Sequence, residues 1–321
     1  MSVSRQIWRK GDVLVTGAAG FIGSHLCRRL LAEGATVRGV DCFLDNYSRK
    51  IKEENLADLL KEKRFSFFED DLCSVPLTKL LAGVIVVFHC AALPGVRNSW
   101  GSAFADYLHN NISATQLLLD SAKGNKLKSF IYVSSSSVYG NQKSSPLKEE
   151  FTPQPVSPYG VTKLAGEHLA LLYQQNYRIP VSIVRLFTVY GPGQRPDMGF
   201  YRFIKAVATG KTIDFYAPPV PSRDFTYIDD IVAGILACSL RGKRGGVYNL
   251  GSGKSRRLDK IFLVLEGILG KRANLQKVGH QAGDMLSTNA DITLAQEELK
   301  YHPTVGIEEG LRRQVEWQLS D

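Results

Sequence analysis

The first half of this 321-residue chain alternates short apolar runs with helical patterns, and this alternation is the strongest constraint on its fold. Continuous apolar runs are typical of strands that are buried on both faces of a sheet. Strands that alternate with helices predict a parallel, doubly wound sheet. The predicted strands cover residues 12–17, 35–41, 65–70, 84–91, 128–135 and 180–187. The helical patterns between several of them cover residues 21–34, 101–123 and 159–176.

The residue pattern changes after about residue 190, where loops rich in Gly and Pro separate shorter elements. We therefore predict an α/β protein with a doubly wound parallel Rossmann sheet and a smaller, partly interleaved α/β substrate-binding domain. The Rossmann domain should cover residues 1–190, with a returning segment near 225–250. The second domain should lie mainly within residues 191–321.

Composition argues against several classes of protein. The chain has no apolar run of about 18 residues, so we predict no membrane span. Its five cysteines form no CxxC pair and no zinc spacing, which is typical of reduced thiols in a cytoplasmic protein without a metal site. The net charge is +9, but the basic clusters at 241–244 and 255–257 are short and lack aromatic residues, so we expect no nucleic-acid partner. A solvated basic surface and attraction of a small polyanionic substrate both remain open.

A glycine-rich turn joins the first predicted strand to the first predicted helix. Gly17, Gly20 and Gly23 have the spacing GxxGxxG, and Phe21 and Ile22 lie between the last two. Glycine allows a tight turn, close approach of the backbone to a pyrophosphate, and tight packing of helix on strand. The helix N-terminus offers free N–H groups and the positive end of the helix dipole to the same anion. A purely structural turn would have this spacing too, so the surrounding residues decide between the two interpretations.

Acidic residues at the next two strand ends favour a dinucleotide. Asp41 ends the second predicted strand, at a position suited to the two ribose hydroxyls of an adenosine. A carboxylate there repels a 2′-phosphate, so the expected cofactor is NAD rather than NADP. Asp70 and Asp71 end the third predicted strand, near where the adenine should lie.

A second group of residues has the pattern of a proton-transfer site. The segment SSSSVYG at 134–140 ends a predicted strand, and SPYGVTK follows with Tyr159 and Lys163. A separation of four residues puts these two on one helix face, one turn apart. The Lys163 ammonium should favour the phenolate of Tyr159 and lower its pKa toward working pH. Helix surfaces show this spacing by chance, but here it follows a dinucleotide loop and a serine-rich strand end.

In combination these residues resemble the extended short-chain dehydrogenase/reductases, and more narrowly the NAD-dependent nucleotide-sugar 4-epimerases. The resemblance covers about residues 12–317, and it implies a homodimer in which helices 101–123 and 159–176 form a four-helix bundle. It rests on Asp41 and on the segments TGAAGFIGSHL, HCAALPGVR, SSSSVYG, SPYGVTK, RLFTVYGPGQRPDM, SRDFTYIDD and AGDMLSTNAD.

The resemblance implies roles for matched residues. Tyr159 would take the proton of the sugar 4-OH, Lys163 would tune it and hold the nicotinamide ribose, and Ser135 would share the hydrogen bonds of the 4-oxygen. The C4 hydride would pass to bound NAD and return to the other face of the 4-keto sugar, without net redox change. Ala91 and Asn111 would lie near the cofactor.

The resemblance also implies contacts to the rest of a UDP-sugar substrate. Arg223 and Asp284 match positions that hold the nucleotide diphosphate and ribose. The HxAA motif of relatives usually includes a lysine-like residue, and this chain has Pro94 at that position. One pyrophosphate contact is therefore unassigned. Arg97 is the candidate that would replace this contact.

Two serines argue against neighbouring reactions of the family. In sugar dehydratases of this family the strand-end motif resembles T-D-E-V-Y-G. This chain has Ser136 and Ser137 in place of the two acids. Decarboxylases that make UDP-xylose usually have glutamate at the position of Ser137. Elimination of water and loss of CO₂ are therefore not expected.

The segment FTVYGPGQRPDM resembles UDP-glucuronate 4-epimerases, whereas hexose 4-epimerases usually have asparagine at the position of Thr188. The uronic acid bears a carboxylate at C5, which a guanidinium can hold in a bidentate fork. We expect Arg195 to do so, with hydroxyl donors from Thr188 and the two serines just named. A loop arginine paired with Asp197 or Glu150 is the other interpretation.

Other functions stay open beside 4-epimerisation of UDP-glucuronate to UDP-galacturonate. The nearest is 4-epimerisation of a neutral sugar such as UDP-glucose, and a UDP-glucuronate decarboxylase is a further alternative. A non-catalytic NAD-binding protein would need the glycine turn but not Tyr159 and Lys163 together. A nucleic-acid-binding protein would bind with a steep dependence on salt.

Overall fold

The computed structural model of this chain describes residues 7, 10–216, 219–279, 285 and 287–320. The strands are β1 (Asp12–Thr16), β2 (Val37–Asp41), β3 (Phe65–Glu69), β4 (Val84–His89), β5 (Ser129–Ser135), β6 (Val181–Leu186), β7 (Thr188–Tyr190), β8 (Thr212–Tyr216), β9 (Ser222–Tyr227), β10 (Val247–Leu250), β11 (Ser255–Arg257) and β12 (Asn274–Val278). The α-helices are α1 (Phe21–Ala32), α2 (Arg49–Leu56), α3 (Leu77–Leu80), α4 (Phe104–Tyr107), α5 (Ala114–Ser121), α6 (Pro158–Tyr177), α7 (Gly199–Thr209), α8 (Ile228–Arg241), α9 (Leu258–Leu269) and α10 (Ile307–Leu319).

Seven strands form one sheet in the order β10-β6-β5-β4-β1-β2-β3, and every neighbouring pair is parallel. The chain runs outward in one direction from β1 and in the other direction from β4, so the strand order reverses between these two neighbours. In doubly wound sheets, ligands bind outside the carboxyl ends of the strands at this switch point. The predicted α/β Rossmann architecture is confirmed.

Both faces of the sheet are buried, as the continuous apolar runs indicate. Val13 and Val15 of β1 pack into one apolar cluster together with Leu26 of α1. Leu14 belongs to a second cluster, with Leu118 of α5. Because side chains alternate between the faces of a strand, a run without polar residues requires helices on both sides.

Residues beyond 190 contribute to the large sheet and also build smaller ones. The strand β10 pairs with β6 at the edge of the seven-stranded sheet. The strand β7 starts after a single residue that follows β6, and it pairs with β9 in a three-stranded sheet that β11 completes. The strands β8 and β12 form a parallel pair. The two parts of the chain therefore interleave at the carboxyl end of β6.

The helical pattern predicted over 101–123 forms as a continuous run of helical turns over 101–121, in which the type of turn changes along the chain. A 3-10 turn at Gly101–Ala103 precedes α4, and a π-helical segment, Leu108–Ser113, separates α4 from α5. Within this segment Asn111 is buried, and its amide pairs with both backbone groups of Leu93 at 2.7 and 3.0 Å. The wider π turn places this side chain inward, which residue periodicity alone does not predict. Among the described residues, no helix is long and apolar enough to cross a membrane.

Candidate active site

A cavity of about 360 Å³ lies along the carboxyl ends of the central strands, at the switch point. It brings together residues that are far apart in the sequence. The predicted cofactor-binding residues that line it are Gly17, Gly20, Phe21, Ile22, Gly23, Asp41, Asp70, Asp71, Ala91, Tyr159 and Lys163. The other predicted residues that line it are Ser135, Ser136, Ser137, Thr188 and Arg195.

The glycine turn fits the pyrophosphate of a dinucleotide. Gly17 has a φ of +71°, which residues with a side chain rarely adopt. A Cβ added at Gly23 would lie 2.0 Å from the carbonyl oxygen of Gly17, so the helix can pack this closely on the turn only without a side chain. The N-terminus of α1 opens into the cavity at this point, with Phe21 as its first residue. Free N–H groups and the dipole of the helix favour an anion there.

Asp41 lies at the tip of β2 with its carboxylate held by the backbone. One oxygen accepts the N–H of Ala19 at 3.1 Å, and the other accepts the N–H of Phe43 at 2.9 Å. Burial raises the pKa of this carboxyl, and the two N–H donors and the nearby Lys52 oppose that effect. A half-buried carboxylate beside the glycine turn can accept further hydrogen bonds from ribose hydroxyls.

Asp71 is fixed at the rim of the same cavity. One carboxylate oxygen accepts the N–H of Cys73 at 2.7 Å, and the other contacts Nε2 of His109 at 2.9 Å. Burial acts to raise the pKa of Asp71, but these hydrogen bonds outweigh it and leave the pKa below its usual range. The three side chains offer possible metal-ligand atoms within 4.8 Å of one another. Both Asp71 oxygens already serve the protein's own hydrogen bonds, and the carboxylate faces the cofactor end of the cavity.

The first turn of α6 carries Tyr159 into the cavity for local reasons. The Ser157 hydroxyl caps the helix by accepting the N–H of Gly160 at 3.1 Å, and Pro158 occupies the first helical position. Both features favour a helix start at this point. Tyr159 and Lys163 then follow one turn apart on the side that lines the cavity.

The pKa of Tyr159 is raised, contrary to our expectation that Lys163 lowers it. Burial of the phenol is the largest cause, while a hydrogen bond from Ser135 and the positive charge of Arg195 oppose it. The ammonium of Lys163 lies over the ring of Tyr132, 4.5 Å from its centre. Ser135 and Arg195 thus act on the phenol more than Lys163 does.

Lys163 is almost fully buried, at 3% exposure. Burial lowers its pKa to about 8, against the charge of Glu167, which raises it. The charge of this lysine therefore changes close to physiological pH.

Arg195 enters the cavity from the loop after β7. Its Nε and terminal nitrogen each lie 3.0 Å from a carboxylate oxygen of Asp197. The arginine side chain is 18% exposed, against 41% for its partner. The ion pair that we considered as the alternative does form, and it holds the guanidinium on the cavity wall beside Thr188.

A second cavity of about 180 Å³ adjoins the first. The two share Ser136, Ser137 and Thr188 in their linings, and Arg223 lies only in the second. The predicted residue Asp284 falls outside the described residues.

Two of the remaining predicted residues lie beside the cavities. Arg97 is exposed, and its guanidinium packs over the ring of Tyr216 at 4.7 Å, while its neighbour Val96 lines both cavities. Asn111 lies behind the wall, where its amide donates to Thr162 at 2.9 Å and holds the backbone of Leu93. Pro94 itself lines the larger cavity.

A buried chain of hydrogen bonds supports the cavity floor. The Thr16 hydroxyl accepts the N–H of Ala91 at 3.0 Å and lies 2.8 Å from Nδ1 of His89. On the other side, Nε2 of His89 lies 2.9 Å from the Thr115 hydroxyl, which donates to the carbonyl of Asn111 at 2.7 Å. Every donor and acceptor in this series of hydrogen bonds has a partner when His89 is neutral and carries its proton on Nε2. Burial lowers the pKa of His89 to about 3.

The sequence-based predictions did not include several residues that line the larger cavity, among them Tyr47 and Lys52. Lys52 donates to the carbonyl of Leu44 and, at 3.0 Å, to Asn46, and its ammonium lies over the Tyr47 ring at 4.6 Å. The segment follows β2 at the carboxyl edge of the sheet. A search of that loop for charged and aromatic residues would have found them, since ligands bind at this edge.

Comparison with known proteins assigns the family. The sequence model of the NAD dependent epimerase/dehydratase family matches residues 13–251. The chain belongs to this family. The predicted resemblance is confirmed, and so is NAD as the cofactor.

Three relatives of this epimerase/dehydratase show how close the similarity is. The UDP-glucuronate 4-epimerase of Thermodesulfobacterium geofontis is 39% identical over 312 residues, which is 96% of each chain. An uncharacterised UDP-glucose epimerase of Bacillus subtilis is 44% identical over 307 residues, 94% of this chain and 96% of the other. The crystal structure of UDP-glucuronic acid 4-epimerase from Bacillus cereus, in complex with UDP-glucuronic acid and NAD, is 44% identical with a TM-score of 0.94, and the match covers 96% of this chain and 99% of that one.

Proposed function

We propose that this protein is an NAD-dependent 4-epimerase that interconverts UDP-glucuronate and UDP-galacturonate. The observation that carries the proposal is the position of Arg195, a fixed positive charge on the wall of the cavity that also contains Tyr159. A neutral sugar gives this guanidinium no charged partner, whereas a uronic acid does. The Thermodesulfobacterium relative and the Bacillus cereus structure, both named for this activity, support the same substrate.

The protein's own groups perform the proton transfer in this proposal. Bound NAD supplies a nicotinamide that takes the hydride of C4 and returns it to the opposite face. Tyr159 removes the proton of the 4-OH and returns it to the same oxygen, while Ser135 shares the hydrogen bonds of that oxygen. Burial makes the phenolate costly, and the charge of Arg195 and the Ser135 hydroxyl reduce that cost.

Arg195 also protects the substrate in this proposal. A 4-keto uronic acid is a β-keto acid, which loses CO₂ when its carboxylate bond stands perpendicular to the carbonyl plane. A bidentate guanidinium fixes the carboxylate in one orientation. Asp197 holds the guanidinium through Nε and one terminal nitrogen, so the N–H donors of the other terminal nitrogen can serve a substrate carboxylate in this proposal.

The second cavity is the proposed place of the nucleotide diphosphate. It joins the sugar site through Ser136, Ser137 and Thr188, and Arg223 lies in its wall. A guanidinium suits the diphosphate of a UDP-sugar. The net charge of +9 would favour the approach of such a polyanion.

The test of this function is Arg195→His, assayed with UDP-glucuronate and UDP-glucose in parallel. We expect turnover of UDP-glucuronate to fall about 10- to 100-fold, because one charge-assisted contact is lost. Arg202→His is the control, since Arg202 is exposed on α7 seven residues away. Unchanged kinetics of the Arg195 variant would remove the proposed role of the arginine.

A neutral UDP-sugar is the second candidate substrate. The ion pair with Asp197 already gives Arg195 a partner, and a Bacillus subtilis relative is named as a UDP-glucose epimerase. A higher kcat/KM for UDP-glucose than for UDP-glucuronate in the wild-type protein would favour this candidate.

We further infer a cytoplasmic homodimer. The support for two copies is a set of exposed apolar side chains on the predicted bundle helices. These side chains are Leu108, Leu117, Val161, Leu172 and Tyr177. The support for the compartment is that all five cysteines are free, with Cys27 and Cys238 buried.

A further inference from the structure

An ion pair is buried one turn beyond Lys163 on the helix that carries the catalytic tyrosine. The carboxylate of Glu167 accepts two hydrogen bonds from Arg185 of β6, at 2.9 and 2.7 Å. The two side chains are 3% and 5% exposed. The Ser134 hydroxyl, from the cavity wall on β5, donates to the same carboxylate at 2.5 Å.

Stability alone does not account for this pair. Replacing a buried ion pair by apolar residues of similar volume is often neutral or stabilising, because two charges must be taken out of water. The sheet and α6 already pack through apolar side chains, such as Ala170 in the second cluster. The position of the pair, four residues after Lys163, suggests an electrostatic role instead.

We propose that Glu167 is a positioning residue that keeps Lys163 protonated in the active site, and that Arg185 keeps the carboxylate of Glu167 ionised. The proposal rests on the proposed epimerase function, in which Lys163 serves Tyr159 and the cofactor. Residues four apart on a helix face each other, so the carboxylate is placed to stabilise the ammonium. The guanidinium holds the carboxylate ionised and partly screens it.

Few other groups near Lys163 can stabilise its positive charge. Cys90 acts in the same direction as Glu167 but has a pKa raised to about 12, so it is neutral at working pH. His89 is neutral at working pH because burial lowers its pKa. Tyr132 supplies only its ring face to the ammonium. The charged or titratable side chains that face Lys163 from α6, β4, β5 and the adjoining β6 are Tyr159, Glu167, His89, Cys90, Tyr132 and, through Glu167, Arg185.

The experiment compares pH profiles of kcat for three variants. In Glu167→Gln, Lys163 should lose its proton earlier, so the alkaline limb of the profile should move down by about one pH unit. In Arg185→Lys, a positive charge still faces the carboxylate and keeps it ionised, so the same limb should stay near its wild-type position. Structural damage to the ion pair alone gives no reason for the limb to shift in Glu167→Gln and to stay unchanged in Arg185→Lys. An unchanged limb in Glu167→Gln would overturn the proposal.

The double variant Glu167→Leu/Arg185→Met decides the matter if a single variant fails to fold. It replaces the pair by apolar residues and should keep the melting temperature of the wild-type protein. We expect its alkaline limb to lie as low as that of Glu167→Gln. A folded double variant with the wild-type profile would show that the pair has only a structural role.

A second readout separates this proposal from the proposed function. The dissociation constant of NAD, measured by calorimetry over the same pH range, follows the charge of Lys163 without any turnover. Weaker binding should set in at lower pH in Glu167→Gln than in the wild-type protein. If the wild-type protein lacks epimerase activity but shows this shift, the proposed function fails and the role of Glu167 stands. If the wild-type protein is active and neither the pH profile nor NAD binding shifts in Glu167→Gln, the proposed function stands and the role of Glu167 fails.

Discussion

Single residues around Tyr159 set the chemistry of the proposed mechanism. Burial alone makes this phenol a weaker acid, and the pKa of Tyr159 is raised accordingly. The opposing groups, Ser135 and Arg195, come from the end of β5 and the loop after β7. The same arginine thus has two proposed roles, since it holds the substrate carboxylate and favours ionisation of the base.

Tyr159→Phe should lower kcat about 10²- to 10⁴-fold, which is the usual contribution of a positioned acid or base. NAD should still bind with an affinity near that of the wild-type protein, since only one hydroxyl is removed. Turnover of UDP-glucuronate by NMR and NAD binding by calorimetry are the measurements. Tyr177→Phe is the matched control on the same helix, where the side chain is exposed. Equal turnover by both variants would show that Tyr159 is not the base.

His89 should make the protein less stable in mild acid. Its pKa is about 3 in the folded protein and 6.5 for an ordinary histidine, so below pH 6.5 the unfolded chain binds a proton that the folded chain excludes. The free energy of unfolding should therefore fall as pH drops from 6.5 toward 3, by at most about 1.4 kcal/mol per pH unit.

Urea denaturation between pH 4 and 7 measures this effect. In His89→Gln the pH dependence should be smaller, because the titrating group is gone. His168→Gln, which removes an exposed histidine of α6, is the control and should keep the wild-type slope. The same slope in His89→Gln as in the wild-type protein would mean that other groups cause the acid sensitivity.

At the scale of elements, α6 packs closely on β5 because a glycine, Gly166, lies where the two elements cross. A Cβ added at Gly166 would lie 2.0 Å from the hydroxyl of Tyr132. This contact lies between Lys163 and Glu167 on the helix. The distance from helix to strand therefore fixes the depth of both charged groups beside the cavity.

Gly166→Ala should cost about 1–3 kcal/mol in the free energy of unfolding, because the interior has no room for the methyl group. Activity should fall as well, since α6 must move away from β5. Gly267→Ala is the matched control, as this glycine lies within α9 and has open space around its Cβ position. That change should stabilise by about 0.5–1 kcal/mol. Thermal denaturation and turnover together test both expectations.

Local sequence patterns predicted the first six strands and part of the cavity lining, such as the glycine turn, Asp41 and Tyr159. The predicted strand at 128–135 forms as Ser129–Ser135, and Asp41 lies at the tip of β2 as expected. These features depend on neighbouring residues in the chain, which a sequence displays directly. The π turn within the predicted helical stretch 101–123 has another cause, because it is stabilised by contacts of Asn111 with a distant loop.

Long-range electrostatics was also beyond prediction. Glu167 and Arg185 are separated by 18 positions and meet only because α6 packs across β5 and β6. The same applies to Lys52, which reaches the cavity from the segment after β2. The pKa of Tyr159 depends on burial and on several side chains at once, so the lysine one turn away was insufficient to predict its direction.

At the scale of the whole molecule, the apolar side chains on the bundle helices test the proposed dimer. Leu172→Glu places a charge on the exposed face of α6, where a second copy would pack. We expect the wild-type protein to have the mass of a dimer in light scattering and this variant to have the mass of a monomer. Leu263→Glu, on the exposed side of α9, is the control and should leave the mass unchanged. A monomeric wild-type protein would contradict the dimer.

The whole fold brings a dinucleotide site, a buried tyrosine and a guanidinium into two adjoining cavities. The central claim is that this arrangement inverts C4 of a UDP-linked uronic acid without losing its carboxylate. The most direct measurement is to incubate the purified protein with UDP-glucuronate and to follow the anomeric protons by NMR, first without and then with added NAD. Our account predicts UDP-galacturonate signals that grow to a constant ratio with UDP-glucuronate. The appearance of a UDP-pentose and CO₂, or turnover of UDP-glucose alone, would contradict it.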